Sequence, residues 1–247
     1  MARFTTHQVI VTFLGLKSAP LMMIYLLMVL LSKYYHRYTS PLSLKPILIL
    51  YNLTCSLVSL YTLCGFIYGM YESNSVFQKQ ATPTLEHFFF IYFCTKTLEL
   101  LDTVFMILRH RSRQISFLHV YHHASMLLLS DFSYNYCPWP AIAFGLSINS
   151  FVHVCLYLYY AQTAYDSTQA PSWKKNMTQL QIAQFLGGLV HNTMGYLYHG
   201  FCVYSFFYAF TMLYLFSNFY YHAFIKTPSK RKNKVDMNYE SKNGKLE

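Results

Sequence analysis

Apolar residues fall into seven long runs separated by short polar breaks, at 19–35, 46–69, 86–108, 115–130, 140–162, 178–198 and 201–224. A helix needs about 20 mostly apolar residues to cross a hydrocarbon core of about 30 Å, and each run approaches or exceeds that length. The pattern predicts an all-α integral membrane protein with seven transmembrane helices over residues 1–225, followed by a basic tail from 226 to 247. The fourth run is short and leads into the turn-like DFSYNYCPWP, and the sixth meets the seventh across HGF with almost no loop. No internal repeat or linker divides the runs, and the first begins too late and runs too long for a cleavable signal peptide.

Composition agrees: 54% of residues are hydrophobic, 19% aromatic and only 11% charged, which is membrane rather than soluble usage. The few cations alternate in density from loop to loop. With the N-terminus outside, the cytoplasmic segments hold Lys33, Arg37 and Lys45, then Arg109, Arg111 and Arg113, then Lys174 and Lys175, and then seven more in the tail, fifteen in all. The opposite face holds three, Arg3, Lys17 and Lys79, while Lys96 lies inside a run. This is the positive-inside pattern, and it calls for an odd number of spans with a cytoplasmic C-terminus. The net charge of +10 is thus a membrane-surface collar. Joined to no recognition module, it implies no nucleic-acid partner.

Polar side chains at membrane depth are costly unless they face a protein interior or a water-filled cavity. The third run carries KTLELLDT, whose Lys96, Glu99, Asp102 and Thr103 fall within about a third of a helix circumference. Lys96 and Glu99 are spaced to pair, which leaves Asp102 to orient another group. The fourth run places His119, His122 and His123 on one face. Asn149, His153, Tyr157 and Tyr160 form a stripe on the fifth, and Thr178, Gln181, Gln184 and His191 form one on the sixth. A single stripe serves as interhelical glue. Four on successive helices point to an enclosed polar chamber.

Clustered histidines suggest a metal first. The HxxHH spacing is that of histidine-box di-iron desaturases and hydroxylases, but those enzymes need several boxes, and His7, His36, His87, His110, His199 and His222 are isolated here. Zinc held by His119, His122 or His123 with His153 is a geometric alternative. The six cysteines show no CxxC spacing and read as small hydrophobes. Cys155 points about 200° away from His153 on a helical wheel, and Cys94 has no evident partner base, which argues against a thiolate nucleophile.

Taken together, the motifs resemble those of the ELO family of very long chain fatty acid elongases. KTLELLDT is similar to the family's KxxExxDT box, HVYHH to HxxHH, NSFVHVCLYLYY to NxxxHxxMYxYY and TQLQIAQ to TxxQxxQ, in the family's order and over at least residues 90–185. Leu156 stands at the family's methionine, a conservative exchange. The resemblance implies a seven-helix bundle around an acyl tunnel in the endoplasmic reticulum membrane, with a lumenal N-terminus and a cytoplasmic C-terminus. It implies condensation of an acyl-CoA with malonyl-CoA to a 3-oxoacyl-CoA two carbons longer, releasing CoA and carbon dioxide, without metal or redox cofactor. The partners implied are the 3-ketoacyl-CoA reductase, dehydratase and enoyl-CoA reductase of the same cycle, and a second copy in a homodimer.

Such a condensation needs an acyl carrier, a carbanion made by decarboxylation, and donors for the enolate and tetrahedral oxygens. Imidazole accepts acyl groups and leaves readily, so the resemblance makes His122 the expected nucleophile, with His119 and His123 orienting or tuning it. His153 assists from the neighbouring span, and Asp102 holds an imidazole in its tautomer. The amides of Asn149 and Gln184 suit an enolate oxygen. Lys96 and Glu99 set the electrostatics beside the substrate, with Tyr157 and Gln181 as further substrate contacts. Arg109, Arg113, Lys174 and Lys175 of the collar are expected to meet the CoA phosphates.

QISFLHVYHHASM, with Gln114 five residues before His119, resembles the subgroup that elongates polyunsaturated acids. Asp131 follows the histidine run where many members are tryptophan-rich, and Lys242 and Lys245 do not fit the dilysine retrieval spacing. Two other classes compete: a metal-dependent membrane hydroxylase or desaturase, and a seven-span receptor or transporter. The last run lacks the lysine of a retinal receptor, and the halves show none of the repetition common in transporters.

Overall fold

A computed structural model describes residues 12, 14–166, 172–201 and 204–226, and no strand occurs among them. The chain divides into two compact units, Met1–Pro171 and Ser172–Glu247. The first contains α1 (Ala19–Tyr38), α2 (Lys45–Glu72), α3 (Pro83–Leu98), α4 (Leu101–Leu108), α5 (Phe117–Tyr136) and α6 (Pro140–Tyr165). The second contains α7 (Lys174–His199) and α8 (Tyr204–Tyr220), the latter continued by a π-helical turn, Tyr221–Lys226.

Helix starts follow local chemistry. A proline stands in the first turn of α1, α2, α3 and α6, where its missing N–H costs nothing. Thr82 and Ser116 cap α3 and α5, their hydroxyls accepting the N–H groups of Leu85 and His119 at 3.2 Å. Among the described residues, three helices are long and apolar enough to cross a membrane: α1, α2 and α6. Their outward faces match lipid, since Leu27, Leu30 and Leu31 of α1 are at least half exposed, a surface that would aggregate in water.

Within the first unit, α2 and α6 pack along their lengths, α3 lies against α2 and α5, and α1 against α4 and α5. The approach of α3 to α2 is close because Gly65 and Gly69 leave room for the rings and branches of Phe88 and Leu85. Tyr25, Leu100 and Leu127 form one apolar core, and Tyr51, Cys55 and Tyr157 another.

Three local features depart from the sequence pattern. The third run is two helices, not one. At the junction the backbone of Glu99 and Leu100 is 3₁₀-like (φ/ψ −63/−15° and −62/−23°), and the N–H groups of Leu100, Asp102 and Thr103 reach back three residues instead of four. Asp102 N–H bonds Glu99 in place of Leu98, whose carbonyl is approached by the Tyr51 hydroxyl at 3.4 Å.

The fourth run is longer than its apolar residues suggest. DFSYNY is not a turn but the last part of α5, and Asp131 therefore lies within the histidine helix instead of after it. Its carboxylate, 1% exposed, accepts Ser18 N–H at 2.8 Å and the Asn135 amide at 2.6 Å. The tight HGF junction of the second unit works because Gly200 adopts φ 64° and Phe201 folds its ring over Gly195. The tail beyond Lys226, with its cations, and Arg3 lie outside the described residues.

Asp131→Ala would leave a buried N–H without its acceptor, a cost of about 1–3 kcal/mol. Thermal unfolding in nanodiscs is expected to show a midpoint several degrees lower, whereas Tyr136→Ala at the exposed end of α5 should hardly move it.

Candidate active site

The polar stripes of α3 to α6 meet in the first unit. At their centre is Glu99, 1% exposed, whose carboxylate takes two groups at once. Lys96 Nζ donates to both of its oxygens at 2.9 and 3.0 Å, and His153 Nδ1 of α6 lies 3.0 Å from Oε1. A carboxylate is acceptor-only, so the shared proton belongs on Nδ1 of His153. The Lys96 ammonium rests against the same imidazole, 3.3 and 3.5 Å from its two nitrogens, and 4.8 Å above the ring of Tyr92, a cation–π distance. Tyr92 in turn donates to Asn149 Oδ1 at 2.7 Å. With that oxygen engaged, the amide keeps its N–H donors for other partners.

The histidines form a ladder of rings. Centroid separations run 4.3 Å from His119 to His123, 5.5 Å from His123 to His122, and 6.2 Å from His122 to His153 across the α5–α6 gap. His119 Nε2 is 2.8 Å from the hydroxyl of Thr103, which is 3.0 Å from that of Tyr25 on α1. The expected bond from Asp102 to an imidazole is not made: His123 Nε2 is 4.0 Å away, too far for a hydrogen bond. Asp102 accepts the Tyr157 hydroxyl at 2.8 Å instead. The carboxylate that holds an imidazole is Glu99, at the end of α3, where its N–H still bonds Thr95 in the α-helical pattern.

The remaining candidates are placed as follows. Tyr157 is 1% exposed, with its ring against Tyr51 and His153 and its hydroxyl committed to Asp102. Arg109 caps the C-terminus of α4, where a cation suits the helix dipole; Arg113 lies in the short 3₁₀ turn Ser112–Gln114, as does Gln114. Gln181 and Gln184 stand half-buried on α7 in the second unit. Lys174 and Lys175 open that helix, and the Lys175 ammonium lies 6.0 Å over Tyr220.

Among the described residues, no group of three His, Cys, Asp or Glu side chains converges as a bound metal would require. Cys94 is exposed and Cys155 half-buried, while Cys55 is buried among tyrosines. Sequence reasoning missed Tyr25, Tyr92 and Tyr51. Tyr92 had a signal, standing one turn before Lys96 on the same face; Tyr25 had none among 24 tyrosines.

Comparison with known proteins adds a separate line of observation. The family described as ELO: GNS1/SUR4 matches residues 16–232. Human very long chain fatty acid elongase 5 is 36% identical over 222 residues, covering 85% of this chain and 74% of the relative. Very long chain fatty acid elongase 2 of Rattus norvegicus is 33% identical over 229 residues, covering 87% and 82%. The elongase 5 of Bos taurus is 33% identical over 231 residues, covering 88% and 77%.

Removing one partner of a buried ion pair strands the other, at about 3–5 kcal/mol. Lys96→Met and Glu99→Leu are each expected to lower the unfolding midpoint in nanodiscs sharply. The double variant Lys96→Met/Glu99→Leu should recover much of that loss, and a merely additive double loss would show that the pair is not coupled.

Proposed function

Because the chain belongs to the ELO family, we propose that it is a fatty acid elongase catalysing the condensing step, in which a long-chain acyl-CoA and malonyl-CoA give a 3-oxoacyl-CoA. The observation that carries this reading is the facing pair of imidazoles, His122 on α5 and His153 on α6, with His153 fastened to a buried carboxylate. A metal-free acyl transfer needs a neutral nitrogen nucleophile and a second, oriented ring beside it.

In the first half-reaction a ring nitrogen of His122 attacks the thioester carbonyl. The C–S bond breaks, CoA leaves as thiolate and takes up the imidazole proton, and the acyl group stays on His122. In the second, malonyl-CoA loses carbon dioxide, and the electron pair of its C–C bond becomes the enolate of acetyl-CoA. That carbon attacks the acyl-imidazole, the C–N bond breaks, and His122 leaves and takes up a proton from solvent, the one proton that the overall condensation consumes. His153, with Nδ1–H on Glu99, presents Nε2 to the reaction, and Asn149 offers its amide N–H to the enolate oxygen. His119 and His123 hold the carrier ring in place. Lys96, paired with both oxygens of Glu99, sets the field around His153. Asp102 fixes Tyr157 at the chamber wall, and the second unit contributes Gln181 and Gln184 as further substrate contacts.

This reading extends to the setting. Seven spans, with the third broken at Glu99–Leu100, place the N-terminus in the lumen of the endoplasmic reticulum and the C-terminus in the cytoplasm. Arg109, Arg113, Lys174 and Lys175 bind CoA phosphates on the cytoplasmic side, and a fatty-acyl tunnel runs among the helices. The preferred primers are polyunsaturated, as the stretch around Gln114 suggests, and the product passes to the reductase and dehydratase of the same cycle. No metal or redox cofactor takes part, and the protein functions as a homodimer.

Purified protein incubated with radiolabelled malonyl-CoA and a panel of acyl-CoAs is expected to release labelled 3-oxoacyl-CoA, best with polyunsaturated primers, and to keep that activity after stringent chelation. Failure with every primer would refute the reaction, and loss on chelation would favour a metal enzyme. His122→Ala should lower the rate by about 10³-fold or more.

A further inference from the structure

Behind the histidine ladder lies a chain of hydroxyls that the reaction scheme does not use. The Tyr25 hydroxyl on α1 is 3.0 Å from Thr103 Oγ1 on α4, which is 2.8 Å from Nε2 of His119 on α5. Tyr25 is 2% exposed and Thr103 0%, so three helices are tied by groups that water does not reach.

The direction of these bonds follows from counting protons. Among the described residues Tyr25 Oη has one polar partner, Thr103. Were it to accept from Thr103, its own proton would be buried with no acceptor, an expensive state. Tyr25 therefore donates to Thr103. Among the described residues Thr103 Oγ1 touches only Tyr25 and His119, so its single hydrogen goes to His119. Nε2 of His119 is consequently an acceptor, and in the neutral ring the proton resides on Nδ1. The ring so fixed lies 4.3 Å from that of His123, tilted by 52°, and His123 is itself 5.5 Å from His122.

We propose that Tyr25 and Thr103 are positioning residues for the condensing centre: they hold His119 as the neutral Nδ1–H tautomer and, through the packed rings of His123, set the orientation of His122. This rests on the elongase reading for its effect on rate, but not for the tautomer itself. The two residues touch no reacting atom. They act by denying His119 a second protonation state and a second ring orientation, as a carboxylate does for the histidine of a hydrolase triad.

The test uses full-length protein labelled with nitrogen-15 histidine in nanodiscs, with the His119 signals assigned by their loss in His119→Gln. The wild type should show a non-protonated, hydrogen-bonded Nε2. Thr103→Val, equal in shape but without the hydroxyl, should shift that signal and lower kcat by about tenfold while both KM values stay within about twofold. Thr103→Ser should restore both. Tyr25→Phe, which keeps the ring packed on Leu100 and Leu127, should move both in the same direction, and it serves as the reporter if the valine variant fails to fold. A protonated Nε2 in the wild type, or an unchanged kcat in Thr103→Val, would overturn the proposal. A wild type that condenses nothing would sink the reaction instead, and the nitrogen signal would still decide the tautomer.

Discussion

An ammonium, a carboxylate and an imidazole share one dry pocket between α3 and α6, and the first unit is organised around that fact. Taking Lys96 and Glu99 out of water carries a desolvation cost of several kcal/mol per ion, which only close, well-aligned partners offset. Glu99 supplies both its oxygens to Lys96 and one of them to His153. Lys96 finds the face of Tyr92 as well. Glu99 keeps the α-helical bond of its N–H to Thr95, and the third run tightens just beyond it, where the carbonyl of Leu98 is met by Tyr51. One buried charge thus accounts for the placement of Tyr92 beside Lys96 and for the fixed edge of one histidine.

Glu99 is occupied with His153, Asp102 takes the Tyr157 hydroxyl, and His119 of α5 meets a neutral hydroxyl, that of Thr103. A neutral hydroxyl chain on His119 and a carboxylate on His153 are different instruments. The first pins a ring without making it more basic, whereas the second favours a proton on the ring it touches. Facing His153 across the helix gap is His122, 6.2 Å away between ring centroids, a pairing that suits a reaction in which one nitrogen carries an acyl group while the other manages charge.

Much of this site was legible in the sequence because the helical period alone places polar residues on shared faces. The i,i+3 spacing of Lys96 and Glu99 predicts their pairing, and the HxxHH spacing predicts a common face on α5. The choice of partner between helices was not legible. Periodicity cannot say whether Asp102 or Glu99 reaches an imidazole, since that depends on a three-residue change of helical winding. Tyr25 was invisible for a similar reason: it lies on another helix, and nothing near it distinguishes it from other tyrosines. In the fold, the end of the fourth run was misread because Asp, Asn and Ser favour turns in isolation. A buried partner for Asp131 reverses that preference. The HGF junction, by contrast, carried its own explanation in Gly200.

In the proposed reaction an imidazole of α5 carries the acyl chain. Intact-mass analysis of the purified protein, incubated with acyl-CoA but no malonyl-CoA and followed by peptide mapping, tests it directly. One acyl group per chain is expected, located on His122 and discharged when malonyl-CoA is added. An adduct on a cysteine, or full product formation with no adduct at any time, would contradict it.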